Sequence, residues 1–334
     1  MAEPRPESKT SGSPPAPNED RRGRVKLSPA GFAVTLGLVG FCILALTTPG
    51  FISSDGARAI LLSAAVVGTL AVGQAIVMIS GNLFSLSLAS SAAASGMAFM
   101  ASLRLGIEVA AAVAIAAGVL LNAAQGAAVG LWRANPIIVT IAAAGLIEGA
   151  AISLSHGKVL YAPRAEHGQD FLTSVVGGIP VAVIIFLAVT ICAQLYMRRT
   201  RTGREIYLLG DSREGARAGG LAEAALTVKA FSVAGALAGV AGILLATETQ
   251  SAQVSLVGTN TYDAIAAALI GGNAVFGGRG SPVRAAIGAV AIAAITDLAL
   301  VRGYSTGLQI AVKGTLVVLA VVIVRLADSS AKTA

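Results

Sequence analysis

The stretch "GREIYLLGDSREGARAGGL", residues 203–221, packs charged and glycine residues between two apolar runs, "VAVIIFLAVTICAQLYM" (181–197) and "VKAFSVAGALAGVAGILLA" (228–246). Each flanking run is close to the length that crosses about 30 Å of hydrocarbon. The polar stretch therefore stands outside a bilayer and joins two spans. Within it, Asp211 is placed as a helix N-cap, Glu214 three residues on completes a capping-box pattern, and Gly219–Gly220 supply the stop. A helix over 211–219 is too short to hold itself in water. It must be fastened at both ends and used as a contact.

The pattern repeats along the chain. Of the 334 residues, 55% are hydrophobic and only 12% charged. The apolar residues fall into ten candidate spans at 31–49, 57–79, 83–103, 107–132, 136–155, 179–197, 227–247, 261–275, 282–301 and 306–325. The expected fold is an all-α polytopic membrane protein of about ten transmembrane helices, occupying residues 30–326 with a polar loop at 198–226. Residues 1–29, rich in Pro, Ser and charge, hold too little apolar surface to offset ordering and read as a disordered tail. Residues 327–334 form a short second tail. The run at 31–48 follows a long tail and ends without a small-x-small cleavage site, so it reads as a retained first span. Cys42 and Cys192 lie far apart in apolar blocks and read as small buried hydrophobes.

Charge sets the orientation. With both termini on one side, 18 of the 24 Lys and Arg fall on that side, five on the other (Arg58, Arg104, Lys158, Arg164, Arg302), and Lys313 lies within a span. The positive-inside rule makes the termini and the 203–221 stretch cytoplasmic. The basic cluster Arg198, Arg199, Arg201 and Arg204 serves either docking or headgroup anchoring.

Several spans are dense in small residues, as in "AAAVAIAAGVLLNAAQGAAVG" (110–130). Lipid is as apolar as leucine, so such helices associate through close backbone approach. Polar residues in spans are expensive and so are candidates for a translocation path: Gln74, Asn82, Asn122, Gln125, Thr296, Asp297 and Gln309. Interhelical hydrogen bonding is the competing role for each. The turn Gly271, Gly272, then Gly277, Gly278, Arg279 and Gly280 invites comparison with a phosphate loop, but no G-x-x-x-x-G-K-[ST] occurs in the chain. It reads as a tight cytoplasmic turn. His156, His167, Glu166 and Asp170 share an outer segment, yet their spacing fits no common zinc pattern, and no metal site is expected.

Three motifs carry a resemblance. Residues 203–253 contain Gly203, Arg204, Tyr207, Gly210, Ala216, Arg217 and Gly220 in the pattern G-R-x-x-Y-x-x-G-x-N-x-x-A-A-R-x-x-G-I, with Asp211–Ser212 where Gly-Asn is common. "DAIAAALIGGNAVFGGRGS" (263–281) is followed in register by "IGAVAIAAITDLALVRG" (287–303) and "QIAVKG" (309–314). "ANPIIVTIAAAGLIEGA" (134–150) is the third. The set resembles the inner-membrane permease subunits of ABC importers for simple sugars. That resemblance implies a homodimer in the cytoplasmic membrane, a separate ABC ATPase that binds ATP and Mg, an extracytoplasmic solute-binding protein and no cofactor or catalytic residue in this chain. It also implies that Gly203, Arg204, Tyr207, Gly210, Asp211, Glu214, Ala216, Arg217 and Gly220 form the ATPase-coupling element. Two departures bear on the solute: "GNLFSLS" (81–87) lacks the acid of G-G-I-D-L-S, and Glu148 replaces a basic residue. Permeases for branched-chain amino acids or nucleosides are the alternatives, and a secondary transporter is disfavoured by the scarcity of carboxylates in the spans. An intramembrane enzyme would need a nucleophile and base on facing helices, which the chain does not offer. Lipid is an expected partner and nucleic acid is not.

Overall fold

The computed structural model describes residues 53–161, 174–176, 178–257 and 260–315, with isolated positions at 44, 46–48, 51 and 318. Its helices are α1 (Ser54–Ile79), α2 (Leu88–Ser102), α3 (Ile107–Leu131), α4 (Pro136–Leu154), α5 (Val181–Arg199), α6 (Arg201–Asp211), α7 (Arg213–Ala218), α8 (Glu223–Thr249), α9 (Asn260–Ile270) and α10 (Pro282–Val301). Residues 306–315 are also helical. Local chemistry sets several starts. Ser53 caps α1 by accepting from the Gly56 N–H at 3.1 Å, and Asn135 caps α4 from Ile137 at 2.9 Å with Pro136 in the first turn.

Among the described residues, α1, α3, α4, α5, α8 and α10 are long and apolar enough to cross a membrane. They match the second, fourth, fifth, sixth, seventh and ninth candidate spans. Two other spans differ from expectation. The third begins late, because residues 80–87 are non-helical and α2 has only 15 residues, about 22 Å. The eighth is α9, 11 residues and about 16 Å long, which ends where Gly271 and Gly272 turn the chain. Apolarity marks both stretches, but hydropathy cannot distinguish helix from a buried broken segment. Most of the first span, the end of the tenth, both tails, Glu166, His167 and Asp170 lie outside the described residues.

Small residues position the bundle. On α3, Ala110, Ala114, Gly118, Asn122 and Gly126 recur every fourth residue and are all buried. They face α8, where a side chain at Gly118 would overlap the Gly235 carbonyl and one at Gly239 would sit 2.7 Å from the Ile115 Cα. Such backbone contact is what holds helices together when lipid supplies no hydrophobic contrast. The helices α1 and α8 form the centre, with 78% and 72% of their apolar windows buried, whereas α4 is largely exposed.

The two ends of the bundle differ in charge. At one end the C-terminus of α1 meets α6 and the turn after α9; at the other, strands β1 (Leu160–Tyr161) and β4 (Ser251–Ala252) pair antiparallel, Leu160 opposite Ala252. A second small ribbon pairs β2 (Val175–Val176) with β3 (Ile179–Pro180). The first end carries Arg133, Arg198, Arg199, Arg201, Arg204, Arg213, Arg217, Lys229, Arg279 and Arg284, against Arg58, Arg104, Lys158 and Arg302 at the second. It is the basic end.

Among the described residues, one ion pair lies inside the bundle. Lys313 Nζ donates to Asp263 Oδ2 at 2.8 Å, with both side chains more than nine-tenths buried, and ties the 306–315 helix to α9. Removing one partner of such a pair strands a buried charge, which costs about 3–5 kcal/mol.

The packing account predicts that Gly118→Leu lowers the melting temperature of the detergent-solubilised protein and reduces the monodisperse fraction, since backbone atoms of α8 cannot yield; overpacking of this kind costs about 1–3 kcal/mol. Gly145→Leu on α4, where nothing lies within 4 Å, should melt like the parent. Equal loss in both variants, measured by fluorescence-detected size exclusion after heating, would remove the α3–α8 seam from its central place.

Candidate functional site

At the basic end four glycines meet. A side chain at Gly210 of α6 would overlap the Ile79 carbonyl oxygen and approach the Gly278 nitrogen at 2.5 Å. The Gly278 N–H donates to that same Ile79 oxygen at 3.0 Å. Gly277 and Gly278 have φ of +96° and +71°, and a Cβ on Gly277 would come within 2.6 Å of the Gly81 Cα. Only glycine meets both the left-handed backbone and the contact. The turn expected at 271–280 is therefore observed, and it is locked. Asn273, buried, donates to the Ala268 carbonyl at 2.7 Å and accepts from the Ser281 N–H at 2.7 Å, while Ala274 N–H donates to the Arg279 carbonyl at 2.9 Å. Ser281 Oγ donates to Gln194 of α5 at 2.8 Å.

The helix α6 lies on this turn because its sequence is amphipathic. Gly203, Ile206 and Leu209 are buried at helical spacing, whereas Arg204 and Leu208 are exposed. Tyr207 Oη donates to the Gly280 carbonyl at 3.0 Å. Burial pushes the Tyr207 phenol up, against the opposing pull of Arg198 and Arg284. The phenol stays a donor at neutral pH.

The short helix is placed one residue later than expected. Asp211 ends α6 instead of capping α7; Ser212 is the N-cap of α7, and its Oγ accepts from the Gly215 N–H at 3.0 Å. Glu214 is thus a first-turn acid beside the helix dipole and makes no capping box. The shift arises from α6, whose buried face runs through Leu209 and carries Gly210 and Asp211 into its last turn. The expected glycine stop is present. Leu221 N–H donates to the Ala216 carbonyl and Gly220 N–H to the Arg217 carbonyl, both at 2.9 Å, with Gly220 at φ +75°, a Schellman ending. Ala216 faces inward at 5% exposure, so the outer face of α7 is Glu214, Gly215, Arg217 and Ala218. Exposed Phe276 and Arg279 belong to the neighbouring turn.

An ionic network fastens α7 to the bundle. Arg213 Nη1 donates to Glu223 Oε1 at 2.7 Å, and Arg217 meets Glu223 Oε2 at 2.6 Å. Arg213 Nη2 reaches the Gly81 carbonyl at 3.0 Å and Asn82 Oδ1 at 2.8 Å. Arg213 and Glu223 are not among the residues that the sequence singles out. For Arg213 and Glu223 the available signal is their opposite charge on either side of a glycine stop.

The polar residues of the spans fall into separate groups. Gln74 and Gln125, both buried, flank the non-helical segment 80–87, to which buried Asn82 belongs: with its amide oriented to satisfy both groups, Gln74 donates to the Ser85 carbonyl at 3.2 Å and accepts from its N–H at 2.8 Å, and Gln125 Oε1 accepts from Ser87 Oγ. Asn122 donates to the Gly118 carbonyl in its own helix at 3.0 Å. On α10, Thr296 bonds its own helix at the Ile292 carbonyl, and half-buried Asp297 accepts from Ser63 of α1 at 3.4 Å. Gln309 donates to the Tyr304 carbonyl at 3.0 Å. Glu148 of α4 accepts from Ser90 of α2 at 2.7 Å. Asp263 and Lys313 are absent from the expected path residues, although two opposite charges in apolar runs are the strongest polar signal that the spans contain. A cavity of about 220 Å³ opens near the other end between Arg58, Leu62, Val66, Ala182, Leu244 and Glu248, and the Asp297 carboxylate lies close enough to Glu248 to act on its charge.

Comparison with known proteins places this arrangement. Residues 56–324 match the family model described as branched-chain amino acid transport system / permease component. The ribose import permease protein of Escherichia coli (strain K12) is 31% identical over 293 residues, covering 86% of this chain and 90% of that protein. The D-allose transport system permease protein of the same strain is 29% identical over 281 residues, 83% and 85% of the two chains. The L-arabinose ABC transporter permease protein of Azospirillum brasilense is 27% identical over 324 residues, 94% and 93%. With most of its length matched and its helices built to cross a membrane, the chain belongs to this family of multi-pass transport permeases, among the ABC permeases for sugars.

Proposed function

We propose that this permease forms the translocation path for a monosaccharide or a related small polar solute, and that the α6–α7 platform at the basic end seats a separate ATPase. The observation that carries the reading is the platform itself: a helix pair that is locked to the bundle on its inner side yet presents Glu214, Gly215, Arg217 and Ala218 to solvent, beside the exposed Phe276 of the neighbouring turn. A rigid element with an exposed outer face suits the transmission of motion between subunits. The relatives named for ribose, allose and arabinose support the solute class.

The basic end faces the cytoplasm by the positive-inside rule, ten spans place both termini there, and two copies of the chain surround the path in the inner membrane. ATP and Mg are bound by the ATPase, and a solute-binding protein delivers the cargo at the opposite end. Asp297 and Gln309 face the path, with Gln74, Asn122 and Gln125 supporting it from the bundle. The family model's description favours one second reading, a branched-chain amino acid as cargo; Glu148 and the missing acid of "GNLFSLS" are the residues on which it would turn.

Two experiments on the complex reconstituted with its ATPase and binding protein test this. Ala218→Trp, on the outer face of α7, should weaken ATPase retention in a pull-down by about tenfold, equivalent to roughly 1.4 kcal/mol, while the permease alone elutes and melts like the parent. Parental retention would show that α7 is not the seat. In proteoliposomes, uptake should respond to monosaccharides and not to leucine, and Asp297→Ala should lower it by about tenfold, the worth of one hydrogen bond to a charged group. Leucine uptake would favour the second reading, and undiminished sugar uptake in Asp297→Ala would leave that carboxylate a packing role alone.

A further inference from the structure

The segment 80–87 is a broken stretch at the basic end of the bundle, with Ser80, Asn82, Ser85 and Ser87 buried and the other residues half-buried. It leaves α1 at Ser80, passes through Leu83 at φ +57°, and enters α2 at Leu88. Non-helical backbone at membrane depth persists only where protein groups satisfy it. Here they come from two directions. From within the spans, Gln74 of α1 holds both backbone groups of Ser85, Ser85 Oγ lies 3.2 Å from Ser87 Oγ, and Ser87 bonds Gln125 of α3. From outside them, Arg213 of α7 holds the Gly81 carbonyl and Asn82 Oδ1, and Asn82 in turn donates to Ser80 Oγ at 2.8 Å.

We propose that residues 80–87 are the moving element that carries the ATPase stroke into the bundle, with Arg213 as the positioning residue that grips it. The proposal rests on the reading of α6–α7 as the ATPase seat. The guanidinium fork suits the task because one rigid plane engages Glu223, Gly81 and Asn82 together, which an ammonium on a flexible stem does not do. Glu223 binds Arg213 and Arg217 at the two ends of α7, so the short helix and the start of α8 move as one body. The next unit beyond that body is the segment itself. Leu83 sits in a backbone conformation that a bulky residue adopts only when its surroundings enforce it. A shift of the Arg213 contacts releases that constraint, and the Ser85–Ser87 end passes the change to Gln74 and Gln125.

The test is hydrogen exchange in the reconstituted full-length complex with its ATPase, nucleotide-free and trapped with ADP and vanadate. In the parent, exchange over 80–87 should differ between the two states by about fivefold or more. Arg213→Ala should erase that difference while the peptide covering 213–218 still responds and the ATPase stays bound. Asn82→Asp, which keeps the acceptor for Arg213, should preserve it and guards against a variant that merely misfolds. Identical exchange over 80–87 in the two parental states, or a difference that survives Arg213→Ala, overturns the proposal. A parental complex that does not hold its ATPase overturns the reading of the seat and this relay with it.

Discussion

The absence of a side chain at Gly210 is the constraint on which the basic end of the molecule depends. Any Cβ there would strike the carbonyl of Ile79, the last residue of α1, and the contact is shared with Gly278 from the turn after α9. Three remote parts of the chain are thus held at backbone distance. Because α6 is locked in this way, the break before α7 falls at Ser212, Arg213 is brought over Gly81 and Asn82, and Ala216 points inward. Membrane helices gain little from burying apolar surface against each other, so close approach of this kind supplies the positional accuracy that a water-soluble core would take from side-chain packing.

The same logic separates two kinds of polar residue. Groups such as Asn122 and Thr296 spend their hydrogen bonds within their own helices. Others cross between elements: Arg213 to Asn82, Ser281 to Gln194, Ser90 to Glu148 and Lys313 to Asp263. Cross-links of the second kind fix helices relative to one another. They concentrate around the half-length α9, the broken 80–87 segment and the platform, where regular helix packing gives out.

Much of this is legible in the sequence, and for identifiable reasons. Spans such as 107–132 and 282–301 agree with the helices to within a residue or so because Pro, Gly and charged residues punctuate long apolar runs. The glycine turn and the glycine stop at 219–220 are legible because left-handed backbone demands that residue. Asp211 is misplaced as a cap because D-S-R-E offers two adjacent caps, and tertiary contact at Gly210 decides between them. Residues 80–82 already fall between two spans, and 83–87 are misread as helix because Leu83, Phe84 and Leu86 extend the apolar run of α2 while serine is common throughout that small-residue span. Arg213 and Glu223 are silent because a charge in a polar loop shows nothing of its partner 132 or 10 residues away. Asn82 is legible as a costly polar group, and its partner on α7 is not.

If the platform's outer face meets the ATPase, site-specific cross-linking shows it most directly. A photo-reactive residue at Glu214, exposed on α7, should cross-link to the ATPase in native membranes, whereas one at Leu105, exposed beside Gly106 at the opposite end, should not. Cross-linking from Leu105, or none from Glu214 in a complex that retains its ATPase, would contradict the account.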